Sequence, residues 1–244
     1  MVEGNSRVKR LLPLLLALLL SSPASMVKGD TYGPRFVSAN AATSGAWYGY
    51  TAKVQVRPAG TVSSSLAVWP GGYMSDGLFV QNGMLMPGTA YSLPGEALIF
   101  AWATYNTASS SGGPVPLVWI SVPNATLYSW YTFQLTHSAV NDKWYFRYQD
   151  PAGVWHTQGA FAGNGRTLYS FGANTEYWSA GTETFGTQAM QAVRVYSGSS
   201  WVLTSTAYGP PASQCGHETI QSATPGNLVF KAVEGQCVPY AILW

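Results

Sequence analysis

The chain has 244 residues, of which only 9% are charged and 14% are aromatic, and its formal net charge is +2. Glu3 and three basic residues lie in the first ten positions, so the remainder holds nine acidic and nine basic side chains and is formally neutral. A neutral chain without a basic stripe in its sequence argues against a nucleic-acid partner.

The first 25 residues have the pattern of a secretory signal peptide. A basic stretch is followed by an apolar run from Leu11 to Leu20 and then by small residues that suit cleavage. The apolar run is shorter than the roughly 20 residues that cross a bilayer, although a retained membrane anchor is the alternative. We therefore predict a signal peptide at 1–25, an N-terminal extension at 26–45, and a secreted, extracellular protein without a stable membrane span.

Beyond residue 45, Gly and Pro interrupt the chain at short intervals, and the intervening runs favour Val, Thr, Tyr, Trp and Phe. Such runs are typical of β-strands, and turn signals such as Pro70-Gly71-Gly72 separate them. About ten strands at this length predict an all-β, double-sheet sandwich of the jelly-roll type, as a single domain over 46–244. The predicted strands are 46–56, 65–69, 77–86, 97–105, 117–122, 128–136, 143–149, 166–178, 190–196 and 228–232, with a last one at 238–244.

Cys215 and Cys237 are the two cysteines of the chain. In an exported protein an isolated pair favours one disulfide, worth roughly 3 kcal/mol in the chain-entropy model, and two free thiols are the alternative. This bond would staple a Pro- and Gly-punctuated loop near 205–237. The three histidines are scattered and no metal-ligand spacing occurs, so we predict neither a metal nor a cofactor.

Two polar residues stand out because each lies within an apolar strand. Gln81 lies in Leu78–Met84, and Glu176 lies among Asn, Thr, Tyr and Trp in the strand that ends at Trp178. A polar side chain in such a setting is costly unless it is satisfied or used. One carboxylate facing one amide can hydrolyse a bond, because the carboxylate moves protons while the amide steadies an oxyanion.

Four short motifs occur in the order found in the glutamic peptidases: Val68-Trp69-Pro70-Gly71-Gly72, Leu78-Phe79-Val80-Gln81-Asn82-Gly83, Ala101-Trp102-Ala103-Thr104-Tyr105 and Asn174-Thr175-Glu176-Tyr177-Trp178. They resemble the eqolisins, typified by scytalidoglutamic peptidase, and the chain also has features similar to the neprosin-type prolyl peptidases. The resemblance runs from about residue 45 to residue 196.

This resemblance implies a concanavalin A-like sandwich with Gln81 and Glu176 as the catalytic pair. It further implies substrate-binding aromatics, for which we take Trp69, Trp102, Tyr105 and Trp178. Departures occur: Ala103 stands where the eqolisin strand has an acid, and neprosins use a second Glu where Gln81 stands. We expect an endopeptidase that acts on polypeptide at acidic pH, with the pair on neighbouring strands of one concave face.

Two other functions are compatible with the same fold. A non-catalytic lectin or surface protein would use the aromatic face for binding alone. A glycoside hydrolase would need a second carboxylate to work with Glu176, for which Asp76, Glu96 and Glu183 are the candidates.

Overall fold

The computed structural model describes residues 33–41, 46–57, 65–87, 97–105, 117–121, 125–179, 188–204, 206–208, 218–224, 227–232 and 241–243. These ranges contain strands, turns and bends, and within them no helix is long and apolar enough to cross a membrane. The all-β prediction is confirmed. The strands are β1 (Gly33–Ala41), β2 (Gly49–Gln55), β3 (Ser65–Tyr73), β4 (Leu78–Pro87), β5 (Leu98–Tyr105), β6 (Leu117–Ser121), β7 (Trp130–Ser138), β8 (Lys143–Gln149), β9 (Trp155–Ala162), β10 (Phe171–Ser179), β11 (Gln188–Tyr196), β12 (Trp201–Leu203), β13 (Thr206–Tyr208), β14 (Glu218–Thr224), β15 (Asn227–Ala232) and β16 (Ala241–Leu243).

Two antiparallel sheets form the sandwich. The first sheet has the order β1-β10-β3-β4-β5-β6, and the second has the order β14-β15-β11-β2-β7-β8-β9, with β12 paired to β11. A further two-stranded sheet consists of β13 and β16, and β13 contacts β1 of the first sheet. Strands distant in sequence are therefore neighbours, since β10 inserts between β1 and β3.

The core lies between the two sheets, and every second residue of the strands contributes its side chain to it. In β7 and β8 every second residue is buried, and the side chains between them face outward. Burying a large apolar side chain contributes about 1.5–3 kcal/mol, so these alternating rows stabilise the sandwich. The largest fully buried side chains are Trp144, Tyr50, Phe133, Phe146, Leu66, Met74, Met84, Leu98, Ile99 and Leu135.

A second apolar layer covers the opposite face of the first sheet, which we call the outer face. Its buried members come from three adjacent strands, β3, β4 and β5, and Phe79 packs against them. Because both faces of these strands are apolar, they read as continuous hydrophobic runs. The layer consists of Ala67, Trp69, Leu85, Leu98, Phe100 and Trp102.

The structure differs from the sequence-based expectation at several elements. The predicted turn Pro70-Gly71-Gly72 lies inside β3, and β9 was not predicted. The region 205–237, expected as a loop apart from the strand at 228–232, contains β13 and β14 in addition to β15. β1 lies within the expected extension 26–45 and pairs with β10, so the sandwich includes residues before position 46. Cys215 and Cys237 lie outside the described residues, and their disulfide stays a prediction.

Candidate functional site

Gln81 occupies the centre of the outer face. In β4 it lies opposite Gly71 of β3 on one side and Trp102 of β5 on the other. Its neighbours Val80 and Asn82 face the space between the sheets, where both are fully buried. Alternation along β4 therefore turns Gln81 outward, as the sequence predicts.

The amide of Gln81 is buried but incompletely satisfied. The residue is 4% exposed, and its Oε1 atom has no hydrogen-bond partner. A buried polar atom without a hydrogen-bond partner lowers the stability of the folded protein by about 1–3 kcal/mol, so its presence needs an explanation. An amide held ready for a ligand is such a reason, and it makes Gln81 the best candidate in the described part of the outer face.

Glycine shapes the sheet beside Gln81. A Cβ atom at Gly71 would lie 2.6 Å from the Val80 carbonyl oxygen, 2.8 Å from Gln81 Cβ and 2.9 Å from Trp69 Cζ3. At Gly83 a Cβ atom would lie 2.3 Å from the Val68 carbonyl oxygen and 2.6 Å from Trp69 Cβ. Any side chain at either position would collide with backbone, so the two glycines leave the room that the indole of Trp69 fills.

Trp69 and Trp102 lie on the outer face with Gln81. They are 5% and 3% exposed, so they pack as a layer and do not present open rings. Trp69 meets Phe79 edge to face with ring centroids 5.6 Å apart, and Phe79 in turn packs on Tyr73 at 5.0 Å. Because Tyr73 is 38% exposed, the accessible end of the layer lies at Tyr73 and Phe79.

The other two predicted aromatics fall on different rows. Tyr105 pairs with Leu78 at the end of β5, and the structure does not describe its side chain, so its role in substrate binding stays a prediction. Trp178 pairs with Pro34 of β1 and occupies an outer-face position of β10, the side chain of which the structure does not describe.

Glu176 shares the outer face with Gln81 but not a neighbouring strand. Phe171 and Ala173 belong to the core, so positions 172, 174 and 176 of β10 are outer-face positions. Glu176 pairs with Ala67 of β3, whereas Gln81 pairs with Gly71 of the same strand. The prediction of neighbouring strands is wrong, because β3 lies between β10 and β4.

The register sets the separation of the two positions. Two strand spacings of about 4.8 Å and four residues of about 3.3 Å put the two Cα atoms roughly 16 Å apart. A single bridging water spans about 6 Å between its two hydrogen-bond partners. The larger Cα separation therefore suits a substrate between the two positions better than one shared water.

Two further outer-face positions separate Gln81 from Glu176. Gly172 pairs with Gly71, in the same row as Gln81, and Asn174 pairs with Trp69 one row closer to Glu176. Asn174 is thus nearer to Gln81 than Glu176 is. The sequence motif already contained Asn174, but only the pairing of β10 with β3 gives its place.

A polar network supports Gln81 from behind. Asn82 is fully buried, and its Nδ2 atom donates to the Gln134 and Arg147 carbonyl oxygens at 3.3 and 3.1 Å and to Gln158 Oε1 at 3.4 Å. Its Oδ1 atom accepts from the Tyr50 hydroxyl at 2.9 Å. Burial raises the pKa of Tyr50 well above its ordinary value, so the hydroxyl remains a donor. The network ties β4 to the second sheet directly under the candidate site.

Of the three candidates for a second carboxylate, Asp76 lies within the described residues. Asp76 is hydrogen-bonded by the Arg166 guanidinium, and its Oδ1 atom accepts from the Leu78 backbone N–H at 3.2 Å, so it closes a turn. Glu96 and Glu183 lie outside the described residues. Within the part of the chain that the structure describes, no group of three His, Cys, Asp or Glu could hold a metal ion.

Among the comparisons with known proteins, the one with solved structures found similar folds. No family model and no curated protein matches the chain. Among solved structures, scytalido-glutamic peptidase with a peptide-based transition-state analogue matches with a TM-score of 0.56 and 11% identity. A second structure of that peptidase, with a transition-state analogue inhibitor, gives 0.54 and 10%. Each match covers 82% of this chain and 98% of the other. The chain thus shares the β-sandwich fold of a glutamic peptidase.

Proposed function

We propose that the chain is a secreted endopeptidase of the glutamic type that acts on polypeptide, with Gln81 and Glu176 as its catalytic pair on the outer face of the first sheet. The observation that carries the proposal is the buried Gln81 amide, with Oε1 unpaired, at the centre of that face. The shared fold and the position of Glu176 on the same face support it.

In this mechanism the Gln81 side-chain N–H donates to the oxygen of the scissile carbonyl, on which negative charge develops. Removing one such donor typically lowers turnover by about 10²–10³. The carboxylate of Glu176 takes a proton from the attacking water and returns it to the leaving amine, a contribution of about 10²–10⁴. The substrate carbonyl and the water together fill the gap between the two residues.

Acidic conditions suit this chemistry, because the base is a carboxylate. In the described part of the chain, His137 and His156 lie on β7 and β9 of the second sheet, each hydrogen-bonded to an aspartate at 2.9 Å. Neither lies on the outer face of the first sheet, so neither can serve there as a neutral-pH base.

The test is hydrolysis of an unfolded polypeptide by the purified protein between pH 3 and pH 8. Glu176→Gln should lower turnover by at least about 10² without changing thermal unfolding, and Gln81→Ala should lower it by about 10²–10³. Glu218→Gln and Gln191→Ala make the same chemical changes on the second sheet and should keep full activity. Full activity in Glu176→Gln would remove that residue from the mechanism. A wild type that cleaves nothing at any pH but binds a glycan column would favour the lectin-like alternative.

A further inference from the structure

The outward face of the second sheet carries an excess of positively charged side chains. Lys53 of β2, Lys143 and Arg147 of β8, and Arg194 of β11 all lie at outward positions of their strands, and three of the four are exposed. The sequences of β2, β7, β8, β9 and β11 contain no Asp or Glu. A chain that is close to neutral therefore concentrates four positive charges on one surface, which we call the cationic face.

These cations are not neutralised within the described residues. The ion pairs there are His137–Asp142, His156–Asp150 and Arg166–Asp76, none of which includes a cation of this face. Asp142 and Asp150 lie at the two ends of β8, where each already accepts a hydrogen bond from its histidine. None of the four cations forms an ion pair with an acidic residue that the structure describes.

Arg147 gives a second, independent observation. Its Nε atom is buried and has no hydrogen-bond partner, and its guanidinium lies 5.3 Å from the ring centroid of Tyr145. Contact with the ring restricts the guanidinium. A guanidinium restricted in this way is suited to bind an anionic oxygen through its terminal N–H groups.

The register spreads the cations over the face. Arg194, Thr51, Gln134 and Arg147 form one row across four strands, which puts the two arginines about 14 Å apart. Lys53 lies one row away, on the same side. Hydroxyl and amide side chains fill the space between the charges, and Trp155, 44% exposed, borders the face at β9.

We infer that the cationic face binds an acidic polysaccharide built from uronate sugars. Widely spaced cations fit a polymer with separated carboxylates, and the intervening Thr and Gln side chains can hydrogen-bond sugar hydroxyls. Duplex DNA carries one charge per about 1.7 Å of axis and calls for a denser basic surface. An anionic membrane calls for an apolar anchor, whereas Thr51 and Gln134 occupy the centre of this face.

Titration of the purified protein with polygalacturonate tests the inference, with neutral dextran, duplex DNA and phosphatidylserine vesicles as competing ligands. The wild type should bind polygalacturonate but not dextran, and added salt should weaken the binding because the contacts are exposed charges. The triple variant Lys53→Gln, Arg147→Gln, Arg194→Gln should bind at least about tenfold more weakly, since each exposed charge contributes a few-fold.

A charge-retaining double variant, Lys53→Arg and Arg194→Lys, leaves Arg147 in place as the control and should bind within about threefold of the wild type. Unchanged binding in the glutamine variant would overturn the inference. So would tighter binding of the wild type to DNA or to the vesicles, or no binding to polygalacturonate. Each single glutamine variant repeats the measurement if the triple variant does not fold.

Discussion

Gln81 and Glu176 occupy the same face of one sheet but are separated by an intervening strand and by four register positions of that strand. The strand between them, β3, contributes Gly71 and Trp69 at the intermediate positions. A substrate that connects the two residues must therefore lie diagonally across β3. A mutation can place the carboxylate in another row of the same face, so the importance of this diagonal can be tested.

We predict that moving the carboxylate one row closer to Gln81 does not restore activity to a protein that lacks Glu176. Asn174 lies on the same strand and pairs with Trp69, so Asn174→Glu combined with Glu176→Gln moves the carboxylate by two residues. Because small displacements of a catalytic group change rates by orders of magnitude, the double variant should stay within about tenfold of Glu176→Gln in kcat. A double variant with the activity of the wild type would show that the row does not control the reaction.

A second prediction concerns Gly71, since a Cβ atom there would meet the Val80 carbonyl oxygen at 2.6 Å and Gln81 Cβ at 2.8 Å. Gly71→Ala should lower the free energy of unfolding by about 1–3 kcal/mol and displace Gln81. Peptidase activity per folded molecule should therefore fall.

Gly49→Ala is the matched control, because a Cβ atom at Gly49 would lie 2.5 Å from the Leu135 carbonyl oxygen on the second sheet. It should lose comparable stability in urea unfolding and keep its activity. Equal activity in the two variants would contradict the role of Gly71 beside Gln81.

The strands that could be predicted from sequence are those with one face in the core. The alternation in β7 and β8 is regular, so the predictions 128–136 and 143–149 lie close to Trp130–Ser138 and Lys143–Gln149. β9 was missed because its pairing with β8 shifts register after Phe146, and its burial does not alternate. Local alternation cannot anticipate a bulge that is set by the partner strand.

The candidate site was predictable in part for the same reason. Alternation alone puts position 81 on the face opposite to the buried Val80. It likewise puts position 176 on the face opposite to the buried Thr175. The lateral order could not be derived, since β10 joins β3 from about 100 positions away in the chain. The glycines of β3 were mistaken for a turn, although close packing against Ser170 and Gln81 is what requires them.

We predict that the Asn82 network is essential for stability. Asn82→Leu keeps the number and branching of the side-chain heavy atoms but leaves the Tyr50 hydroxyl and two backbone carbonyls buried without this partner. Each unsatisfied group costs about 1–3 kcal/mol, so the variant should lose at least about 2 kcal/mol in urea unfolding. Tyr50→Phe and the double variant complete a mutant cycle. Simple additivity in the cycle would contradict a direct contribution of the Tyr50–Asn82 bond.

The last prediction concerns stability in acid. The hydrogen bond from His137, at 2.9 Å, lowers the pKa of Asp142 below its ordinary value of 3.8, and the Asn164 backbone N–H contributes in the same direction. A carboxyl with a lower pKa in the folded state stabilises the protein above pH 3.8, and this contribution disappears as the pH falls through the folded pKa. Asp142→Asn should therefore be less stable than the wild type at pH 5–7, and the difference should shrink below pH 3.8.

Asp150 provides an internal comparison, because the hydrogen bond from His156 lowers its pKa as well. Asp150→Asn should show the same pH dependence in urea unfolding between pH 2 and pH 7, and the two effects should add because the pairs lie at opposite ends of β8. The opposite result is that the free energies of unfolding of wild type and variant differ by the same amount at every pH in this range. That result would mean that the carboxylate charge does not stabilise these hairpins. The prediction bears on the proposed function, because the proposed acid peptidase must keep its second sheet folded at the pH at which Glu176 is proposed to act as a base.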